Sequence, residues 1–224
     1  MRIKAVLFDL DGTLLDRDSS LALFIADQYE RFPELQAVDK EIWAKRFIEL
    51  DQHGYVWKDK VYQQLLEEHQ IEHISWNELL EDYLRVFQKF CVGYPNLHST
   101  LSSLKNHGIK IALISNGYGQ FQHDNFQALN ISQFFDEVLI SEWEGLRKPD
   151  PAIFHRALAK LGVTAEEAVF VGDHPDADVR ASQAVGMKAL WKQNHASSTD
   201  VQADAIIQDL EEVVSYVWSV SAEA

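Results

Sequence analysis

The chain has 224 residues, of which 46% are hydrophobic and 25% charged, values typical of a folded globular protein rather than a disordered or fibrous one. Its 20 basic and 35 acidic residues give a formal net charge of −15, which disfavours binding to DNA or RNA. We find no apolar run suited to a signal peptide or membrane span, and the single cysteine excludes an intramolecular disulfide. We therefore expect a cytoplasmic protein with neither nucleic acid nor membrane as a partner.

The first predicted element is a buried strand over residues 3–8, an apolar run that ends abruptly at Asp9. Asp11 follows, so two carboxylates lie close together at the C-terminal end of this strand. Residues 17–92 then contain no convincing strand and show helical spacing, with Gly54 as a turn between two helices. We interpret this segment as a small α-helical domain inserted after the first strand.

The rest of the chain alternates predicted strands with predicted helices. Further strands are predicted at 110–114, 137–140, 168–171, 187–191 and 205–207. Helices are predicted at 97–107, 119–129, 151–161, 176–184 and 209–220. This alternation is typical of an α/β fold with a doubly wound, Rossmann-like parallel sheet, formed here by residues 1–16 and 93–224. In such sheets ligands bind at the carboxyl ends of the strands.

Three further polar motifs follow the predicted strands or precede a helix. They are Ser115-Asn116-Gly117, Arg147-Lys148-Pro149-Asp150-Pro151 and Gly172-Asp173-His174-Pro175-Asp176-Ala177-Asp178. Taken alone, the first motif is typical of a turn, the second of a surface loop and the third of the acidic first turn of a helix. Together with the motif that begins at Asp9, their order resembles that of the haloacid dehalogenase superfamily, most closely its phosphatase-type members with a helical cap after the first strand.

The resemblance implies a Mg²⁺-dependent phosphatase that acts on a small phosphorylated metabolite through an aspartyl-phosphate. It implies that Asp9 is the nucleophile, that Asp11 is the proton donor and later the base, and that Lys148 is the cation beside the phosphoryl group. The implied substrate-binding residues are Ser115, Asn116 and Gly117. The implied metal ligands are Asp9, Asp11 through its carbonyl, Asp173 and Asp178, and Asp176 competes with Asp178 for the last role.

Other functions of the same fold stay open at this point. A 2-haloacid dehalogenase needs neither the metal nor a second aspartate, so the joint presence of Asp11, Asp173 and Asp178 argues against it. A sugar phosphomutase and a non-catalytic binding protein are the remaining alternatives. The substrate and the oligomeric state are left open, and the cap residues Tyr55, Trp57 and Lys58 are candidates for contact with the leaving group.

Overall fold

A computed structural model describes residues 2–194 and 201–222, with side chains as far as residue 220. Met1, residues 195–200 and residues 223–224, which the predicted α/β domain includes, lie outside the described residues. The chain divides into two compact units. One is helical and spans Arg17–Val92, and the other is an α/β unit that combines the residues up to Asp16 with those from Gly93 onward.

The α/β unit is built on a six-stranded sheet with the strand order β3-β2-β1-β4-β5-β6. The strands are β1 (Ala5–Phe8), β2 (Lys110–Ser115), β3 (Glu137–Ile140), β4 (Ala168–Gly172), β5 (Lys188–Lys192) and β6 (Ala205–Ile207). Every neighbouring pair is parallel. The chain order reverses at β1, which lies between β2 and β4, and this switch point is where doubly wound sheets bind ligands. The predicted α/β class is therefore confirmed.

Apolar side chains are buried on both faces of the sheet, which is why the strands read as continuous hydrophobic runs. Leu7, Ile114 and Phe170 belong to one core cluster, which also contains Phe154 from a flanking helix. The helices of this unit are α5 (Leu97–Asn106), α6 (Gly119–Ala128), α7 (Ser141–Glu144), α8 (Pro151–Leu161), α9 (Ala181–Ala184) and α10 (Glu211–Ala222).

The helical unit contains four α-helices and, over its fully described residues 17–92, no strand. The helices are α1 (Arg17–Arg31), α2 (Lys40–Asp51), α3 (Lys58–Glu68) and α4 (Trp76–Val86). Aromatic side chains fill its core: Trp43, Phe47 and Tyr62 are fully buried, and the rings of Phe47 and Tyr62 meet edge to face at 5.3 Å. Such a core explains the helical spacing of aromatic residues in this part of the sequence.

One predicted helix differs from the structure in a way that matters for the site. The α-helix predicted at 176–184 is a π-helix over Pro175–Arg180 followed by the short helix α9. The N–H of Val179 donates to the carbonyl of His174, the wide spacing that defines a π-turn. Proline lacks an N–H and fits the first position of a helix, so the element begins at Pro175.

Candidate active site

Three carboxylates meet at the C-terminal edge of the sheet. Asp9 directly follows β1, Asp173 directly follows β4, and Asp178 lies in the π-helix after it. Carboxylate oxygens of the three residues lie within 4.8 Å of one another. Adjacent parallel strands end at the same edge of a sheet, so residues far apart in the sequence are brought together here.

Lys148 joins two of these carboxylates. Its Nζ lies 2.6 Å from Oδ1 of Asp9 and 2.7 Å from Oδ1 of Asp178, and all three side chains are buried. The other oxygen of Asp178 accepts a hydrogen bond of 3.0 Å from the backbone N–H of His174. These charge-assisted bonds hold the lysine and both carboxylates in defined orientations.

Burial and mutual repulsion shift the pKa values of these groups. Burial raises the pKa of Asp9 to about 7, although Lys148 acts in the opposite direction. Burial also raises the pKa of Asp173 well above its ordinary value, and the charges of Asp9 and Asp178 add to this shift. Burial alone would lower the pKa of Lys148, but Asp178 and Asp9 outweigh it and raise that pKa. Lys148 thus bonds two of the three carboxylates, and the oxygen donors of the cluster are of the kind that a hard divalent cation prefers.

Gly12 allows the chain to turn tightly beside this cluster. Its φ of +78° lies in the left-handed region. A Cβ atom at this position would lie 2.2 Å from Oδ2 of Asp173, so any side chain here would displace a carboxylate of the cluster. Backbone conformation and close approach therefore both require glycine after Asp11.

The three residues after β2 differ in what they contact. The hydroxyl of Ser115 is buried and has no hydrogen-bond partner among the described residues. The side-chain amide of Asn116 binds the backbone of Lys148 twice: its Nδ2 donates to the carbonyl and its Oδ1 accepts from the N–H, both at 2.9 Å. The N–H of Gly117 donates to the hydroxyl of Ser141 at 2.9 Å. Asn116 thus holds the lysine loop, and the Ser115 hydroxyl has the capacity to bind a ligand.

Asp11 lies half-buried, and its carboxylate is not part of the three-residue cluster. Its Oδ2 accepts a 2.6 Å hydrogen bond from Nε2 of Gln122, a buried residue of α6. Sequence reasoning missed Gln122, because nothing in the local pattern distinguishes it from the exposed Gln120 on the same helix.

The two acidic residues that compete for the last site role have different surroundings. Asp178 is buried and bonded to Lys148, whereas Asp176 is exposed and pairs with Arg180. His174 caps the start of the π-helix, where its Nδ1 accepts from the N–H groups of Asp176 and Ala177. The tertiary contacts therefore favour Asp178.

The three residues of the helical unit that are candidates for contact with the leaving group differ in their burial and in their contacts. Lys58 is buried and bonded to Asp51, which Arg17 contacts as well. The side chain of Tyr55 is 70% exposed, and Trp57 is half-buried with its ring 6.2 Å from that of Tyr83. The ammonium of Lys58 thus has a structural partner within its own unit.

A doubly wound parallel sheet with a lysine-bridged carboxylate cluster at its switch point defines an α/β protein with an acidic centre at the edge where such folds bind ligands. The model of one protein family, described as haloacid dehalogenase-like hydrolase, matches residues 6–192. The chain belongs to this family, and the predicted superfamily is therefore confirmed.

Curated relatives of the chain are named as phosphatases. It is 33% identical over 159 residues to phosphoserine phosphatase of Thermus thermophilus, a match that covers 70% of this chain and 64% of that relative. The chain thus spans slightly less than two thirds of that protein. It is 28% identical over 228 residues to glyceraldehyde 3-phosphate phosphatase of Pyrococcus furiosus, which covers 95% of this chain and 92% of the relative.

Solved structures of the same fold include proteins named as phosphatases and proteins named as dehalogenases. A haloacid dehalogenase-type phosphatase from Thermococcus onnurineus has a TM-score of 0.68 at 27% identity, covering 96% of this chain and 98% of its own. A 2-haloacid dehalogenase from Pseudomonas syringae pv. Tomato DC3000 has a TM-score of 0.64 at 28% identity, covering 97% and 99%. The fold is therefore common to both chemistries, and the site must distinguish them.

Proposed function

We propose that this chain is a Mg²⁺-dependent phosphatase that hydrolyses a small phosphorylated metabolite through an aspartyl-phosphate on Asp9. The observation that carries the proposal is the buried Asp9 carboxylate, held by Lys148 beside Asp173 and Asp178 at the switch point of the sheet. The phosphatase names of its relatives support the same reaction. The proposal includes residues 17–92 as the cap of this fold and a cytoplasmic location, with which the single cysteine is compatible.

The carboxylates fit a magnesium ion by their chemistry. Asp9, Asp173 and Asp178 offer hard oxygen donors. Burial raises the pKa values of Asp9 and Asp173, and the neighbouring carboxylates add to both shifts. In this proposal Asp9, Asp173 and the backbone carbonyl of Asp11 would hold the ion, and Asp178 would contact it through water or orient Lys148. A bound divalent cation would neutralise charge on the substrate phosphate.

In the proposed first step an oxygen of Asp9 attacks phosphorus and the bond from phosphorus to the leaving oxygen breaks. Lys148 favours the ionised form of Asp9 and offsets charge on the phosphoryl oxygens. Asp11 gives its proton to the leaving oxygen, and it then removes a proton from the water that cleaves the aspartyl-phosphate. The Ser115 hydroxyl binds a phosphoryl oxygen, and Asn116 and Gly117 shape the loop around it.

The test is release of inorganic phosphate from phosphate esters that include phosphoserine, glyceraldehyde 3-phosphate and phosphoglycolate, with and without Mg²⁺. We expect release that requires the metal. Halide release from a 2-haloacid without metal would instead favour a dehalogenase, and isomerised sugar phosphate without free phosphate would favour a phosphomutase. Binding of a phosphate ester without any turnover would favour a non-catalytic protein.

Substitution of Asp9 tests its proposed role as the nucleophile. Asp9→Asn should lower phosphate release by at least about 10³-fold, because an amide oxygen is a poor nucleophile for phosphorus. The variant should keep the circular dichroism spectrum of the wild type, since the amide has nearly the same shape. Asp176→Asn, an exposed acidic residue nearby, serves as the matched control with ordinary activity. Full activity in Asp9→Asn would contradict the assigned nucleophile.

A further inference from the structure

Gln122 connects Asp11 to the loop that follows β2. Its Nε2 donates to Oδ2 of Asp11 at 2.6 Å and to the carbonyl oxygen of Asn116 at 3.0 Å. The side chain is only 4% exposed, so little water competes for these bonds. The two protons of the amide nitrogen thus serve two separate acceptors.

The chemistry of the two acceptors determines the orientation of this amide. A carboxylate and a carbonyl both require a donor, so the rotated amide would place Oε1 against two oxygens and lose both bonds. In the observed orientation Oε1 is buried and has no hydrogen-bond partner among the described residues. An unpaired buried oxygen is destabilising, so the two donated bonds are kept at the expense of this acceptor.

We propose that Gln122 is a positioning residue for Asp11, an inference that rests on the proposed phosphatase function. The amide occupies Oδ2 and so leaves Oδ1 as the oxygen that carries the proton. When Asp11 is protonated on Oδ1, Oδ2 still accepts from Gln122, and when the proton has moved to the leaving oxygen the same bond persists. The amide of Gln122 therefore fixes the orientation of the Asp11 carboxyl group through one of its two oxygens.

Gln122 also links Asp11 to the lysine loop. Asn116, whose carbonyl accepts from Gln122, binds the backbone of Lys148 through its own side chain. One chain of hydrogen bonds therefore runs from the proposed proton donor to the lysine beside the proposed nucleophile. Loss of Gln122 should disturb the proton donor most, since that contact is direct.

If Gln122 positions Asp11, the loss of kcat/KM in a Gln122 variant should depend on the leaving group of the substrate. An alkyl phosphate needs a proton on its leaving oxygen, whereas p-nitrophenyl phosphate has a leaving group that departs without one. Gln122→Met, which keeps the length and removes the donor, should lower kcat/KM about 10²-fold for an alkyl phosphate and only a few-fold for p-nitrophenyl phosphate. kcat/KM isolates the step up to the aspartyl-phosphate, where Asp11 acts as the acid.

Matched variants separate this role from packing. Gln120 is an exposed glutamine of the same helix and donates a hydrogen bond to Asp124. Gln120→Met should leave kcat/KM unchanged for both esters. Gln122→Asn keeps an amide that is one methylene too short to reach Asp11, and it should reproduce the selective loss even if the methionine variant fails to fold. In an Asp11→Ala background, Gln122→Met should have little further effect on p-nitrophenyl phosphate, because the carboxylate that accepts its hydrogen bond is gone.

An equal loss for both esters, or no loss for either, would contradict the role of Gln122 while leaving the phosphatase proposal intact. A wild-type chain that releases phosphate from neither ester would contradict the phosphatase proposal, and this role with it.

Discussion

Gly12 shows at the residue scale how backbone conformation protects the site. Its left-handed φ and its closeness to Asp173 are separate reasons for glycine. Gly108 has a similar φ of +75°, but a Cβ atom there would meet nothing within 4 Å. Substitutions at the two glycines can therefore distinguish the effect of backbone strain from the effect of displacing the Asp173 carboxylate.

Gly12→Ala should lose both stability and activity, whereas Gly108→Ala should lose stability alone. Each variant incurs a backbone cost of about 1–2 kcal/mol for a left-handed alanine. Gly12→Ala must also move Asp173, and a misplacement of this kind should lower kcat about 10²-fold. Urea denaturation and phosphate release measure the two effects, and unchanged turnover in Gly12→Ala would contradict the close approach described here.

At the scale of secondary-structure elements, the helical unit depends on a buried charge cluster. Asp51 at the end of α2 contacts Lys58 at the start of α3 and Arg17 at the start of α1. Burial alone would raise the pKa of Asp51, but Lys58 and Arg17 outweigh it and hold that pKa below its ordinary value of 3.8. The cluster thus ties three helices together through a carboxylate that must stay ionised.

Asp51→Asn should destabilise the helical unit by about 3–5 kcal/mol, because it removes the carboxylate that the buried Lys58 and the partly buried Arg17 contact. Faster amide hydrogen exchange in α2 and α3 would report this loss. Glu68→Gln, which alters an exposed ion pair with Arg46, is the control and should change exchange little. Equal exchange in both variants would contradict a stabilising role for the buried cluster.

The same carboxylate predicts a pH dependence. Since its pKa is lowered in the folded state, Asp51 contributes stability above pH about 4 and loses it as the pH falls through the folded-state pKa. Urea denaturation between pH 6 and pH 3 should show a smaller acid-dependent loss in Asp51→Asn than in the wild type. Parallel curves for the two proteins would contradict the lowered pKa.

At the scale of the whole molecule, the charge of −15 is unevenly distributed. Residues 17–92 and 193–224 contain most of the acidic excess, and the candidate site is a compact carboxylate cluster in which Lys148 bridges Asp9 and Asp178. Acidity on this scale repels polyanions but is compatible with a small phosphate ester bound through a metal. None of the helices within the described residues has the length and apolar character needed to cross a membrane.

Mg²⁺ should stabilise the folded chain, by about 2.7 kcal/mol at one hundred times its dissociation constant. Asp173→Asn should lose most of this stabilisation because Asp173 belongs to the cluster, whereas the exposed Asp176→Asn should retain it. Thermal unfolding should be compared at constant ionic strength, since any salt screens the net charge. An equal shift of the melting temperature in both variants would indicate nonspecific screening and contradict a specific site.

The sequence by itself determined the elements and the order of the motifs. Apolar runs that end at Asp9 and Ser115 predict buried strands with polar groups at their C-terminal ends, because hydrophobic patterning is local. The topology rule for parallel sheets then predicts that these groups share one edge. Most of the α/β unit was predictable in this way, whereas the roles of the candidate residues were implied by the resemblance of the four motifs to the haloacid dehalogenase superfamily.

Only the tertiary structure decided which side chains contact one another. Lys148 bridges Asp9 and Asp178, Gln122 donates to Asp11, and Lys58 is paired within its own unit. The motif order implied that Lys148 lies near Asp9, but the contacts of Gln122 and Lys58 have no sequence signal. Periodicity indicates which face a residue occupies but not which distant residue it meets. The π-turn after Pro175 brings Asp178 to Lys148 and leaves Asp176 in solvent, since one extra residue in a turn redirects each side chain that follows.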